Sequence, residues 1–338
     1  MQNLSIDYGH NSVKGASDKE NIIFPSITST DTKDMEITEF TDYKPVDFMR
    51  IKHDGNEYFV GDLARRQSDL CIQHVNDDDL TTYETKLLIL TAAAYLSNDK
   101  EINIATDLPV SHHSELKNKV KQMLMSYNYP VVIDFYDWIN QRYKTKAFYI
   151  NQVEVQPQGF YSLMNILLDD NGQLIPDKKD IAVALNIIVD IGYYSTDILA
   201  INQLETIKLN NAVAIPGMVS AYRLLQQIIY DEFGIRKELH KIEPHFRFKR
   251  VKIGGRAYDI TNAINNVISR VTAKITAEIN NIIPFWAEVD NWLFCGGGSI
   301  PLYNDLTQHY QNIRRIPDPQ MSNAIGGLKW ARRKFNEK

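Results

Sequence analysis

The chain has 338 residues, 44% hydrophobic and 23% charged, which is more than one core usually holds and predicts two domains or two lobes around a cleft. A formal net charge of −5 excludes sequence-independent DNA binding by the whole surface, because that binding runs on clustered Lys and Arg. Cys71 and Cys295 lie far apart without ligand spacing and no window reaches ~20 apolar residues, so a disulfide framework, a zinc site and a membrane span are excluded and a reducing cytoplasm fits.

In chain order, Leu4 and Ile6, then Gly9 and Val13, predict a strand, a tight turn and a returning strand closed by Gly15; no basic leader precedes them. Residues 25 to 60 are polar and β-prone, and the Asp54–Gly55–Asn56 turn into Tyr58, Phe59 and Val60 predicts a small peripheral sheet. Leu80, Tyr83, Leu87, Leu90 and Ala94 share one helical face, with the acidic run Asn76–Asp79 as its N-terminal cap. A strand through Ile102 and Ile104 to Leu108 leads into a helix from Ser111 to Met125, with His112 and His113 at its start as ordinary helix residues.

Strands follow at Val131–Ile133 and Phe148–Val155, then a helix from Gly159 to Leu168 and a turn at Asp169–Gly172. The unbroken apolar run Ala182–Val189 predicts a strand buried on both faces. Helices are predicted at Val219–Phe233 and Thr261–Ile283, flanking a charged stretch, 236 to 260, whose Gly254–Gly255 pair marks a hairpin. The two halves share one plan: strand, Asp and Gly turn, more strands, helices.

Three segments carry candidate chemistry. In the first, Asp7 ends an apolar strand before Gly9, His10, Asn11, Ser12 and Lys14; a glycine turn lets backbone N–H groups approach phosphate oxygens, and Asn11, Ser12 and Lys14 add side-chain donors. The carboxylate of Asp7 would hold Mg2+ through water. In the second, Asp190 and Gly192 end the buried strand and Ser195 and Thr196 follow; Gly217 is a further candidate cofactor-binding glycine. In the third, Gly296, Gly297 and Gly298 follow Trp292–Cys295, and without Cβ atoms they let the backbone pass flat beside a ribose or purine. Singly, each of these is also an ordinary turn; order and spacing supply the specificity.

Together, Ile6–Lys14, Val189–Asp197 and Leu293–Ser299 resemble the two phosphate loops and the adenosine motif of the actin, heat-shock-chaperone and hexokinase superfamily, most closely its ParM-type actin-like ATPases. Tyr58–Ala64 and Ala105–Pro109 resemble stretches common there. The resemblance implies an α/β, two-lobed actin-like (ribonuclease H-like duplicated) fold with a nucleotide cleft between the lobes. On this reading residues 1–158 form the first lobe, with a peripheral subdomain at about 25–75. Residues 159–320 form the second, with one at about 205–262, and 321–338 pack back on the first.

The resemblance also implies ATP, or alternatively GTP, with Mg2+ at Asp7 and Asp190. It places the hydrolytic residue at Gln158, with Gln156 as the alternative one register away; an amide would orient the attacking water and not act as a strong base. Asp190 would be a second carboxylate for Mg2+ or water. Tyr193 and Tyr194 depart from the pattern, standing where relatives carry small residues, so the second loop is expected to bind through Ser195 and Thr196 with the tyrosines packed aside. The implied function is an ATPase in the bacterial cytoplasm that assembles head to tail into filaments and segregates plasmid DNA through a ParR-like DNA-binding adaptor on a centromere-like site, with no direct DNA or membrane contact. A monomeric sugar or acid kinase of the same superfamily is the main rival, though no carboxylate base beside a sugar pocket stands out. A chaperone-like switch would need a peptide-binding domain, and a membrane-bound filament a terminal amphipathic anchor.

Overall fold

The computed structural model describes residues 1–33, 35, 43–73, 80–126, 128–209 and 215–336. The chain divides into two compact units, Met1–Asp180 with Met321–Lys338, and Ile181–Gln320. The first unit runs past the expected end at 158, because helix Phe160–Leu167 packs on the terminal helix Ser322–Asn336.

At the centre of the first unit three strands run parallel: Gln2–Tyr8, Glu101–Leu108 and Arg142–Pro157. Gln2–Tyr8 turns back into Ser12–Ala16, which pairs with Asn21–Pro25. The other edge continues through Val131–Asp137, Met49–His53, Asn56–Val60, Ile27–Ser29 and Ile72–Gln73, ten strands in all among the described residues. Arg142–Pro157, with 16 residues, belongs to both halves of this sheet; its Lys144, Thr145 and Lys146 pair with Val131–Asp137 and hide half of it from an apolar-run reading.

Period-two alternation gives the central strands two different faces. Leu4, Ile6, Ile102, Ile104 and Val153 face a core that includes Leu87, Leu90 and Ala94 of helix Tyr83–Leu96. The opposite face carries Asn3, Ser5 and Asp7 beside Asn103, Ala105 and Asp107, and beyond these Glu154 and Gln156; Asn103 Nδ2 donates to Asn3 Oδ1 at 2.9 Å. The terminal helix closes on that face through Gly326 and Gly327. A Cβ on the first would overlap the Tyr161 carbonyl and on the second the Ser5 hydroxyl. Helix Tyr83–Leu96 is capped by Thr82, whose Oγ1 accepts from Thr85 N at 3.3 Å; the acidic run expected as its cap, 76–79, lies outside the described residues.

The second unit is built on Leu185–Ile191, hairpinned to Ser195–Asn202 and parallel to Asn291–Cys295. The expected strand thus starts at Leu185, and Ala182 ends a short helix, Lys179–Ala182. Helices Val219–Phe233, Thr261–Ile282 and Ser299–His309 cover the sheet, with Ile187, Val189, Leu225, Val271 and Leu302 in one core. Helix Ile242–Phe248 and the ribbon Arg250–Ile253/Arg256–Asp259 form a small module that joins this core through Ile242, Phe246 and Val251. No described helix is long and apolar enough to cross a membrane.

Candidate functional site

Each unit carries one acidic hairpin, and the two are built alike. In the first, Gly9 N donates to Ser12 O at 3.2 Å; in the second, Gly192 N donates to Ser195 O at 2.9 Å. Neither glycine has a positive φ, yet a Cβ at either would stand 3.0 Å from that same serine carbonyl, closer than nearly all real contacts. Close approach, not a left-handed backbone, therefore calls for glycine at both turns.

The carbonyls of both turns are tied to one side. Ser26 takes the first turn, its N donating to Asn11 O at 3.1 Å and its Oγ to Gly9 O at 2.5 Å. In the second, Met218 N, Val219 N and Gly217 N donate to the carbonyls of Gly192, Tyr193 and Tyr194 at 3.1, 2.7 and 2.9 Å. In a trans peptide the C=O of one residue and the N–H of the next point opposite ways. Holding those carbonyls on one side turns the N–H groups of 10 and 12, and of 193 to 195, toward the other, an arrangement suited to anions.

Asp7 is 3% exposed and stands in register with Lys14, whose Nζ is 2.8 Å from its Oδ2. The parallel register carries the row on from Asp7 to Asp107, also 3% exposed, and to Gln156. Asp107 enters the sequence reading only within the Ala105–Pro109 resemblance and with no site role, although a polar residue near the end of an apolar parallel strand sits where open α/β sheets bind ligands. Tyr161 is fully buried below this row, and burial, helped by the Asp107 and Glu154 charges, holds its phenol well above the usual range. Gln156 Nε2 donates to Glu154 Oε1 at 2.7 Å. Gln158 lies beyond the strand, its backbone N bound to Leu108 O at 2.7 Å, and Gly159 at φ +90° starts the following helix.

In the second unit Asp190 pairs across the hairpin with Asp197 and lies beside Cys295 of the neighbouring strand. Tyr193 leans on Tyr222 and Tyr194, with ring centroids 5.5 and 4.7 Å apart. Burial pushes its phenol up to about 12, with Tyr194 adding to the rise and Arg223 opposing it. Thr196 is buried and gives its hydroxyl to Pro216 O at 3.3 Å, which leaves Ser195 as the half-exposed hydroxyl at this turn. Gly217 supports the turn from behind, because a Cβ there would meet the Gly192 and Tyr193 carbonyls.

The three glycines after Asn291–Cys295 differ in what they do. Gly296 has φ +77° and a Cβ on it would overlap Asp190 Oδ1 and the Ile191 carbonyl. Gly298 donates its N–H to Ile191 O at 2.8 Å, and a Cβ would run into Ile191 and Met218. At Gly297 the nearest atoms are those of Gln320, 3.6 Å away, so internal packing makes no demand for glycine there. Beside Pro216, the partner of Ser195, opens a cavity of ≈ 470 Å³ lined also by Ser220, Arg223, Arg270, Lys274 and Ile275. Its cations went unread because Arg270 and Lys274 look like any exposed i, i+4 pair on a helix.

Among the described residues no three His, Cys, Asp or Glu side chains converge on a metal-holding arrangement. A magnesium ion needs no such cage, since it keeps most of its water and takes one or two carboxylates with phosphate oxygens; Asp7 in the one unit and Asp190 in the other, each near the end of a buried strand, are carboxylates of the kind such an ion takes.

Residues 5–160 match the family model described as the N-terminal domain of actin like proteins, and residues 188–308 that of the archaeal actin homologue, MreB-like, C-terminal domain. No curated protein matches the chain. Among solved structures, a 15-stranded ParM filament from Clostridium botulinum is 23% identical, with a TM-score of 0.77 over 98% of this chain and 99% of that one. An archaeal actin homolog in complex with ADP is 18% identical, with a TM-score of 0.79 over 99% of this chain and all of the other, and its SeMet form reaches 0.81. The family models and the shared fold make this chain an actin-like protein, with the α/β architecture of the ParM and archaeal actin-homolog structures.

Proposed function

We propose that this protein binds ATP with magnesium, hydrolyses it, and assembles head to tail into filaments that segregate plasmid DNA in the bacterial cytoplasm through a ParR-like adaptor. The observation that carries the reading is the repeated hairpin: two turns, Gly9–Ser12 and Gly192–Ser195, with the same bond from glycine N to serine O and with carbonyls drawn to one side. Phosphate oxygens are taken by the N–H groups of these turns and by Ser12, Lys14 and Ser195. Gly297 gives the ribose or base a flat approach. Asp7 and Asp190 are the carboxylates that would hold magnesium, which would supply neutralisation of charge on the terminal phosphates. Gln158 orients the attacking water. A ParM filament and an ADP complex among structures of the same fold support assembly and nucleotide binding. A contact between unlike surfaces that fails to close into a ring propagates as a polymer.

Light scattering and pelleting with ATP, GTP and a nonhydrolysable analogue test this. Scattering should rise with ATP, and the analogue should give polymer that persists. A protein that stays in the supernatant and turns over ATP only when a sugar or acid acceptor is added is the kinase instead.

A further inference from the structure

The net charge of the whole chain conceals a local reversal. Between residues 236 and 259 eight Lys and Arg stand against Glu238, Glu243 and Asp259, an excess of five positive charges in a chain whose formal charge is −5. The three carboxylates are engaged within the module: Glu238 with Lys241 at 3.0 Å, Glu243 with Arg247 at 3.8 Å, and Asp259 accepting from Thr261 N at 2.8 Å. The ribbon is fastened from one side only, with Val251 fully buried beside Ile242 and Phe246 in the core of its unit. Register therefore turns Arg250 and Lys252 outward, with Asp259 and the small Ala257 as their cross-strand partners, and both cations are exposed. Lys249, in the left-handed region at φ +54°, adds a third exposed cation at the entry to the ribbon. A Cβ at Gly254 or Gly255 would meet nothing within 4 Å, so the ribbon ends in a slender point.

We propose that this ribbon is a docking surface for the phosphate backbone of duplex DNA. A two-stranded ribbon is the width the major groove admits. Duplex DNA offers a charge about every 1.7 Å along its axis, so closely spaced cations each find a phosphate. An acidic protein surface offers carboxylates more sparsely. The acidic remainder of the chain confines contact to this module and makes it strongly salt-dependent. The inference stands apart from the nucleotide site, which uses none of these residues.

Fluorescence anisotropy of the full-length protein with a labelled mixed-sequence duplex, between about 50 and about 200 mM salt, tests it. The wild type should bind at low salt. Lys249→Ala/Arg250→Ala/Lys252→Ala, whose side chains are all exposed, should keep the melting temperature and ATP turnover of the wild type, weaken binding about tenfold or more, and lower the log–log salt slope by about 2 to 3. Absence of wild-type binding at low salt, or a triple variant with unchanged affinity and slope, overturns the proposal. A variant that keeps DNA binding but no longer pellets with ATP overturns it too and assigns the ribbon to a second copy of the chain.

Discussion

The carboxylate of Asp7 and the ammonium of Lys14 face each other across the first hairpin at 2.8 Å, with side chains only 3% and 15% exposed. A pair so enclosed is worth more when broken than when made, since removing one member leaves a charge out of water without a counterion. Lys14→Met is expected to cost about 3 kcal/mol of unfolding free energy in urea, and Asp7→Asn/Lys14→Met to recover much of that loss. Equal stability of the single and double variants would show that the uncompensated Asp7 charge is not what the Lys14 substitution costs. With nucleotide and magnesium present, Asp7→Asn is expected to weaken binding, as read by titration of a fluorescent ATP analogue; unaltered affinity in magnesium would remove Asp7 from the site.

The glycine run separates fold from ligand. Gly296→Ala sets a methyl against Asp190 and Ile191 at a positive φ, so a loss of about 2 kcal/mol or more is expected. Gly297→Ala meets only Gln320 at 3.6 Å and is expected to shift stability by no more than about 0.5 kcal/mol. If nucleotide lies along Gly297, that harmless methyl should weaken nucleotide affinity about tenfold or more, since about 1.4 kcal/mol of steric cost is enough. A Gly297→Ala protein that binds ATP normally would detach the third segment from the nucleotide.

Gln158 and Gln156 are two residues apart and differ in their commitments. The Gln156 amide is already bound to Glu154 at 2.7 Å, whereas Gln158 is held only through its backbone. Gln158→Ala is expected to polymerise with ATP but to release phosphate about a hundredfold more slowly and to depolymerise late, the scale of a lost water-orienting group. Gln156→Ala is expected to retain most turnover. Reversal of the two results moves the hydrolytic role two residues back, into the row with Asp7 and Asp107.

Much of this was legible because the local signals agreed with the fold. Apolar strands ending at Asp7 and Asp190, the Asp54–Gly55 turn and helix Val219–Phe233 stand where alternation and helical periodicity put them. The long strand Arg142–Pro157 was legible only in part, because its first half lies at a hairpin where polar residues, the exposed Lys144 among them, interrupt the apolar pattern. The end of the first unit was misplaced for a different reason: helix Phe160–Leu167 is held by Gly326 and Gly327, more than 150 residues away, and no local pattern announces such a partner. Asp107, quoted within Ala105–Pro109, has no role in the sequence reading, because only the pairing of three strands brings it into the row with Asp7. The separate duties of Gly296, Gly297 and Gly298 likewise depend on Asp190, Ile191 and Met218, which composition cannot place.

His113 ties pH to the strand that bears the glutamines. Its Nε2 lies 3.1 Å from the Val155 carbonyl, three residues before Gln158. Burial holds its pKa below the ordinary 6.5; Lys117 lowers it further, while the Val155 bond and Glu154 pull it up. The unfolded chain therefore binds this proton at a higher pH than the folded one. Above about 6.5 the residue is neutral in both states and its contribution is complete; as pH falls from there toward the depressed folded value, protons favour the unfolded chain and stability is lost. Urea midpoints taken at pH about 7.5 and about 5.5 should fall more for the wild type than for His113→Gln, which keeps a donor for Val155 and cannot titrate. Because His113 braces the end of strand Arg142–Pro157, ATP turnover should fall over the same interval in the wild type and less in the variant. If both proteins lose stability equally on acidification, the responsible proton lies elsewhere, and His245, held low by burial in the second unit, is the next residue to replace.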